Sequence, residues 1–224
     1  MSPGALASLA VVVVTTSAIA TPPSAPQGTA RTSSLAPTRA NRAGPDRRLL
    51  AAARRIDAAG VAKLLALGAN PNAHDEERTP ALQLVFADLM YDTAGDAVRI
   101  VRSLLAAGAN PYGRTPAGRT ALMEASASPL PEGAAIVAAL LAAGADPNAR
   151  DARGWTALMC AAQADAASVA KSVLAAGADP TVRARSGETA LSLAHRAPEQ
   201  ATLPLLRAAL ASRRAASRHP RPKR

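Results

Sequence analysis

Catalysis by a side-chain nucleophile needs a base to take the proton and a partner to orient that base. In this 224-residue chain, with one cysteine and three histidines, only Cys160 and His195 invite that reading. Cys160 lies in "TALMCAAQA", where a small or apolar core residue is expected. A thiol there reads as an inert buried hydrophobe. His195, after "LSLA", reads as a solvent-facing or helix-end residue. His74, Asp75, Glu76 and Glu77 form the other cluster. One histidine beside three consecutive acids lacks the ligand spacing of a metal site and reads as a solvated loop. No Gly-rich phosphate loop, paired-histidine motif or nucleophile elbow occurs. A lone cysteine also excludes an internal disulfide framework and a four-cysteine metal site. The expectation is a protein without catalytic residues, metal or cofactor, whose chemistry is recognition.

The elements that would position a recognition surface follow from composition and spacing. With one Phe, one Trp and two Tyr, a core must be built from Leu, Ala and Val, which suits close-packed short helices better than strands. "GAN" or "GAD" followed by Pro begins at Gly68, Gly108, Gly144 and Gly177, at successive spacings of 40, 36 and 33. An "AL" restart follows Pro80, Thr120, Thr156 and Thr189, always 12 residues after the glycine. The distance from restart to the following glycine shrinks from 28 to 24 to 21. A constant connector means a geometry that repeats rigidly, with extra residues tolerated only between the two apolar stretches. Arg47, 21 residues before Gly68, opens "RLLAAA" as a degenerate first copy, and "TALSLAH" with "LPLLRAAL" makes a fifth.

Each copy reads as helix, turn, helix, connector. Thr156 is placed to cap one helix and Gly177 to end the next in a left-handed conformation. Neither helix is long enough to stand alone, so neighbouring copies must stack to bury their apolar faces.

These residues resemble the ankyrin repeat. "DARGWTALMCAA" matches its pattern at Asp151, Gly154, Thr156, Leu158, Ala161 and Ala162, and "VLAAGADP" completes it from Val173 to Pro180. The resemblance covers Arg47 to about Leu210 and implies an all-α ankyrin-repeat solenoid of about five stacked repeats with hairpin-like connectors. The copies span approximately residues 46–74, 75–114, 115–150, 151–183 and 184–210. Met123, Met159 and Ser192 replace the family's histidine. Its loss is expected to weaken the hydrogen bonds that tie adjacent connectors. Copy two carries seven residues more than copy four, within "VFADLMYDTAGDAVRI".

The resemblance also implies protein binding on a concave face of connector tips and first helices. Carried over by position, Glu76, Glu77 and Thr79 come from copy two, and Ala117 and Arg119 from copy three. Arg153, Trp155 and Gln163 come from copy four, and Arg185, Ser186, Glu188 and Arg196 from copy five. Trp155 falls on a connector slot that points outward in the family, and an exposed Trp between Arg153 and Arg119 has the composition of a hot spot. The competing reading is that Trp155 folds over the neighbouring connector as packing. The insert is a second candidate, with Tyr91 and Asp92 on a projecting loop and Phe86 filling the core.

The formal charge of +10 is unevenly placed. Arg47–Leu210 holds 17 Lys/Arg against 15 Asp/Glu, while Ala211–Arg224 adds six positive charges and no acid. This argues against a basic groove and for a separable appendage, expected as a disordered tail. Ala5–Ala20 is uncharged and ends in Ala18-Ile19-Ala20, a small-x-small pattern suited to signal-peptide cleavage, although no Lys or Arg precedes it. It is too short and too rich in Thr and Ser for a membrane span. Residues 21–45, rich in Pro, Ser, Thr and Ala, read as a disordered linker. The expectation is a monomeric, exported, periplasmic or secreted stack that binds a partner protein, with residues 1–20 removed. A second reading is a cytoplasmic regulator whose basic tail meets nucleic acid or an acidic surface. For the exported form nucleic acid is not the expected partner, and the tail, with no aromatic residues interleaved for base stacking, reads as a solubilising segment.

Overall fold

A computed structural model describes residues 39–87, 93–128 and 131–218, with side chains from residue 44 to 215 of these. The chain divides into Met1–Ala36, outside the described residues, and Pro37–Arg224, which holds all that follows. Ten helices are described: α1 (Arg39–Arg54), α2 (Ala58–Ala66), α3 (Ala81–Leu84), α4 (Ala94–Ala106), α5 (Ala121–Ala127), α6 (Glu132–Ala142), α7 (Ala157–Gln163), α8 (Ala167–Ala175), α9 (Ala190–Ala194) and α10 (Leu203–Arg218). They pair as five helix-turn-helix copies.

The helix starts and stops are chemical. The hydroxyls of Thr120, Thr156 and Thr189 accept from the backbone N–H of Met123, Met159 and Ser192, three residues on. Ser192 returns the bond to the N–H of Thr189 at 2.9 Å, completing a capping box. Gly68, Gly108, Gly144 and Gly177 end the second helices with φ between 85° and 92°, where a Cβ would meet its own carbonyl.

The odd-numbered helices form one layer, α1 against α3, α3 against α5, α5 against α7 and α7 against α9. The even-numbered helices form the other, α2 to α4 to α6 to α8 to α10. One apolar core runs through both, from Leu49 to Leu206. Phe86, expected to fill the core, packs against it partly buried.

The connectors fold as tight hairpins, with antiparallel bridges His74 to Pro80, Arg114 to Thr120 and Arg183 to Thr189. Successive tips join through backbone, Ala152 N–H donating to Ala117 at 3.0 Å and Arg185 N–H to Arg153 at 2.9 Å. The expected weakening of connector ties is offset by other donors. Gln83, in the slot of the family's histidine, donates to the carbonyls of Gly113 at 2.7 Å and Arg119 at 3.0 Å in the next connector. Where Met fills that slot, arginines act instead. Arg114 donates to Gly118 at 2.9 Å and onward to Arg150 at 2.8 Å. Arg150 likewise reaches the carbonyl of Arg183. A guanidinium carries enough donors in a rigid fork to serve two copies at once. Asparagines add a parallel row, with Asn72 donating to Gly108 and Asn148 to Gly177, each at 3.0 Å.

Two boundaries differ from the sequence expectation. Helix α1 starts at Arg39, inside the segment read as linker, and Asp46 accepts from the Asn70 N–H at 2.7 Å. The basic segment from Ala211 continues α10 as helix to Arg218, and Arg213 pairs with Asp179 at 2.9 Å. Apolar Leu203 and Leu206 anchor the start of that helix in the core, and the chain extends it because Ala, Ser and Arg carry no helix breaker. Asp165, at φ 52°, accepts from the N–H groups of Ala201 and Thr202, both at 3.0 Å. Burial works against its charge, but these bonds prevail and hold the carboxyl below its usual range.

The connector glycine slot holds Gly118, Gly154 and Gly187 at φ 76° to 83°, yet copy two places Arg78 there at φ 63°. A left-handed non-glycine residue costs ~1 kcal/mol. Arg78→Gly is therefore expected to raise stability by at most about 0.5 kcal/mol in urea unfolding, since the added chain entropy of glycine offsets much of the gain.

Candidate functional site

The face formed by connector tips and odd-numbered helices carries a strip of alternating charge across copies three to five. Arg119 holds Glu124 through two bonds, Nε to Oε1 at 2.6 Å and Nη2 to Oε2 at 3.1 Å. Those bonds, with smaller contributions from neighbouring acids, keep the guanidinium charged above its ordinary range despite partial burial. Arg119 also faces Asp151 at 3.9 Å, and Arg153 faces the same carboxylate at 3.6 Å. Asp151 is itself consumed by the hairpin. Its Oδ1 accepts from the N–H of Trp155 at 2.7 Å and of Arg153 at 2.9 Å. In copy five, Glu188 accepts from Ser186 and Arg196, both at 2.8 Å. These bonds, Ser186 first, lower its carboxyl below the usual range.

Trp155 is a correction. The side chain expected to point outward is only 7% exposed. Its backbone is pinned to Asp151 by the hairpin, and the Arg153 guanidinium lies 4.7 Å over the ring centroid. A cation on the π face covers what the outward reading left open. Packing is the role this geometry supports, and Arg153 is the group presented to solvent.

The remaining candidates separate into two sets. Arg119, Arg153, Arg185, Ser186, Glu188 and Arg196 share the strip, with Ala117 exposed at its edge and Gln163 exposed at the end of α7. Glu76 and Glu77, both exposed, and half-buried Thr79 lie in the copy-two connector. There Glu76 and Glu77 flank a cleft of about 680 Å³, with Arg47, Leu50, Arg54 and Arg55 opposite. Arg54 bridges to Asp75 across it at 2.9 Å. Tyr91 and Asp92 lie outside the described residues.

Sequence reasoning missed Glu124 and Asp151 as members of the strip. Asp151 was visible only as part of the repeat pattern. Glu124 occupies the slot that holds Cys160 in copy four, and a charge in that slot was the available signal.

Cys160 is buried at 2% exposure beneath the Arg119–Glu124 pair, and burial pushes its thiol up to about 11 even though Arg119 pulls the other way. His195 is exposed at the end of α9. Among the described residues, no group of three His, Cys, Asp or Glu side chains is placed to hold a metal ion, and no helix is long and apolar enough to cross a membrane.

Two outcomes follow from the burial. Trp155→Ala is expected to cost about 3 kcal/mol in denaturant unfolding, the scale of a core Trp truncation, whereas an outward-facing Trp would cost little. With the thiol titrating near 11, roughly one in ten thousand is ionised at pH 7. Native Cys160 is expected to resist iodoacetamide at that pH and to label rapidly once urea unfolds the chain.

No match was found among curated proteins. The family described as "Ankyrin repeats (3 copies)" matches residues 89–184 and 130–209. That match covers more than half of the chain. It falls on copies whose capped helix pairs, hairpin connectors and forward hydrogen bonds have been described above, so the chain belongs to the ankyrin-repeat family.

Proposed function

We propose that this chain is a non-enzymatic interaction module that holds a partner protein on the concave face made by connector tips and first helices. Membership of a family whose repeats are generally protein-interaction modules supports the class. One observation carries the placement. Arg119, Arg153, Glu188 and Arg196, contributed by three separate copies, form a continuous charged strip, and Arg153 and Arg196 keep 63% and 66% of their side chains exposed. Distributed, rigidly held polar groups suit recognition of an extended surface. Cys160 is buried, and exposed His195 has no side-chain partner among the described residues, so the two do not form a nucleophile and base facing a substrate.

We further propose that the module is exported to the periplasm or secreted, as the apolar run Ala5–Ala20 and the small-x-small ending at Ala20 suggest. Those residues lie outside the described structure. N-terminal sequencing of the protein from its native host decides the matter: a mature chain beginning at Thr21 supports export, and an intact leader in the soluble fraction overturns it.

The binding reading is tested by charge reversal. Arg185→Glu with Arg196→Glu is expected to weaken partner capture at least tenfold by affinity co-purification, with the fold retained by circular dichroism. Arg102→Glu, on α4 of the opposite layer, is expected to leave capture unchanged. Equal capture by both variants would move the site away from the strip.

A further inference from the structure

The charges along this face are not equally available to a partner. In copies four and five the acids are turned inward. Asp151 has 2% of its side chain exposed and is bonded to hairpin N–H groups, and Glu188 has 23% exposed and is bonded to Ser186 and Arg196. The cations lie above them. Arg153 and Arg196 are more than half exposed, and exposed Arg185 makes no ion pair among the described residues. The outermost layer there is guanidinium. At the other end acids and cations face each other: exposed Glu76 and Glu77 make no ion pair among the described residues and lie across a cleft from exposed Arg47, Arg54 and Arg55. The exposed charge is therefore cationic at copies four and five and mixed at copy two.

We infer that the partner's docking element is an acidic, extended protein segment whose carboxylates meet Arg153, Arg185 and Arg196 across copies four and five. This rests on the binding role proposed above and specifies its partner. Guanidinium forks match carboxylates bidentately, and Arg153 is already held in place by the Trp155 ring, so less side-chain freedom is lost on binding. At copy two the same segment would also meet exposed Glu76 and Glu77, which favours the C-terminal copies. Single-stranded nucleic acid fits less well, because buried Trp155 provides no ring for a base to stack on.

The test uses the full chain and a fluorescein-labelled decaglutamate peptide, long enough to cross two copies at ~33 Å extended. Binding is read by anisotropy at low salt, and by emission of Trp155, the sole tryptophan. Saturable binding is expected, with a Trp155 emission change, and it should weaken at least tenfold in Arg153→Gln/Arg185→Gln/Arg196→Gln and fall as salt is raised. Glu76→Gln/Glu77→Gln is expected to bind as well as wild type or better, and decalysine is expected not to perturb Trp155. The basic C-terminal segment is intact in every variant, so undiminished binding by the triple variant would assign the peptide to that segment and overturn the proposal. Stronger competition by decathymidine than by unlabelled decaglutamate, lost in the same triple variant, would overturn it in favour of nucleic acid. If the peptide fails while charge reversal still abolishes capture of a partner, the acidic segment falls and the binding face stands. If capture also survives charge reversal, both fall.

Discussion

Alanine sets the distance between successive copies, and the rest of the structure depends on that distance. Ala121 and Ala125 on α5, Ala157, Ala161 and Ala162 on α7, and Ala190 and Ala194 on α9 are all buried at the layer of first helices. A side chain of one carbon lets neighbouring backbones approach, as small residues do wherever helices pack closely. Only at that separation do the connector hairpins come within hydrogen-bonding reach, Ala152 to Ala117 and Arg185 to Arg153. The charged strip follows, since Arg119 of copy three can address Asp151 of copy four only across so narrow a step.

The repeat, its helix pairs and its connector geometry were legible because they are local. A threonine cap, a glycine stop and a 12-residue connector each act within a few residues of themselves, and the folded chain places all three as spacing implied. The strip was legible only in part, for the opposite reason. Whether Trp155 faces solvent depends on Arg153 lying over its ring, and two residues so close in sequence can adopt that stack or avoid it. Glu124 was invisible as a site residue because its importance comes from Arg119, whose direction is set by the connector rather than by spacing. The ties between connectors show the same limit. The missing histidine was plain, but Gln83 and the arginines that replace it act between copies, 30 to 36 residues apart for Gln83 and Arg114.

The polar surface is organised in two tiers. Acids that lie deep, Asp151 above all, spend their acceptors on hairpin N–H groups and so fix the loops. Arginines that lie above them neutralise the buried charge and supply the outward chemistry. A carboxylate with 2% exposure would be costly without those partners. The same groups therefore serve stability and recognition.

Among the described residues, the side-chain donors that tie one connector to another all point one way, while Asn72 and Asn148 accept in return from the Asn110 and Asp179 N–H groups. Asn72, Gln83, Arg114, Asn148 and Arg150 each hand a hydrogen to the connector that follows, and Arg183, on the last connector, bonds within it to Gly187. The array thus has a grammar of succession. Losing a copy at either end breaks such ties, since removing the last also strips the Arg153 carbonyl of the Arg185 N–H and Asp165 of the Ala201 and Thr202 N–H groups. A duplicated unit spliced in beyond the last connector would offer Arg183 the kind of forward carbonyl that Arg114 and Arg150 already hold.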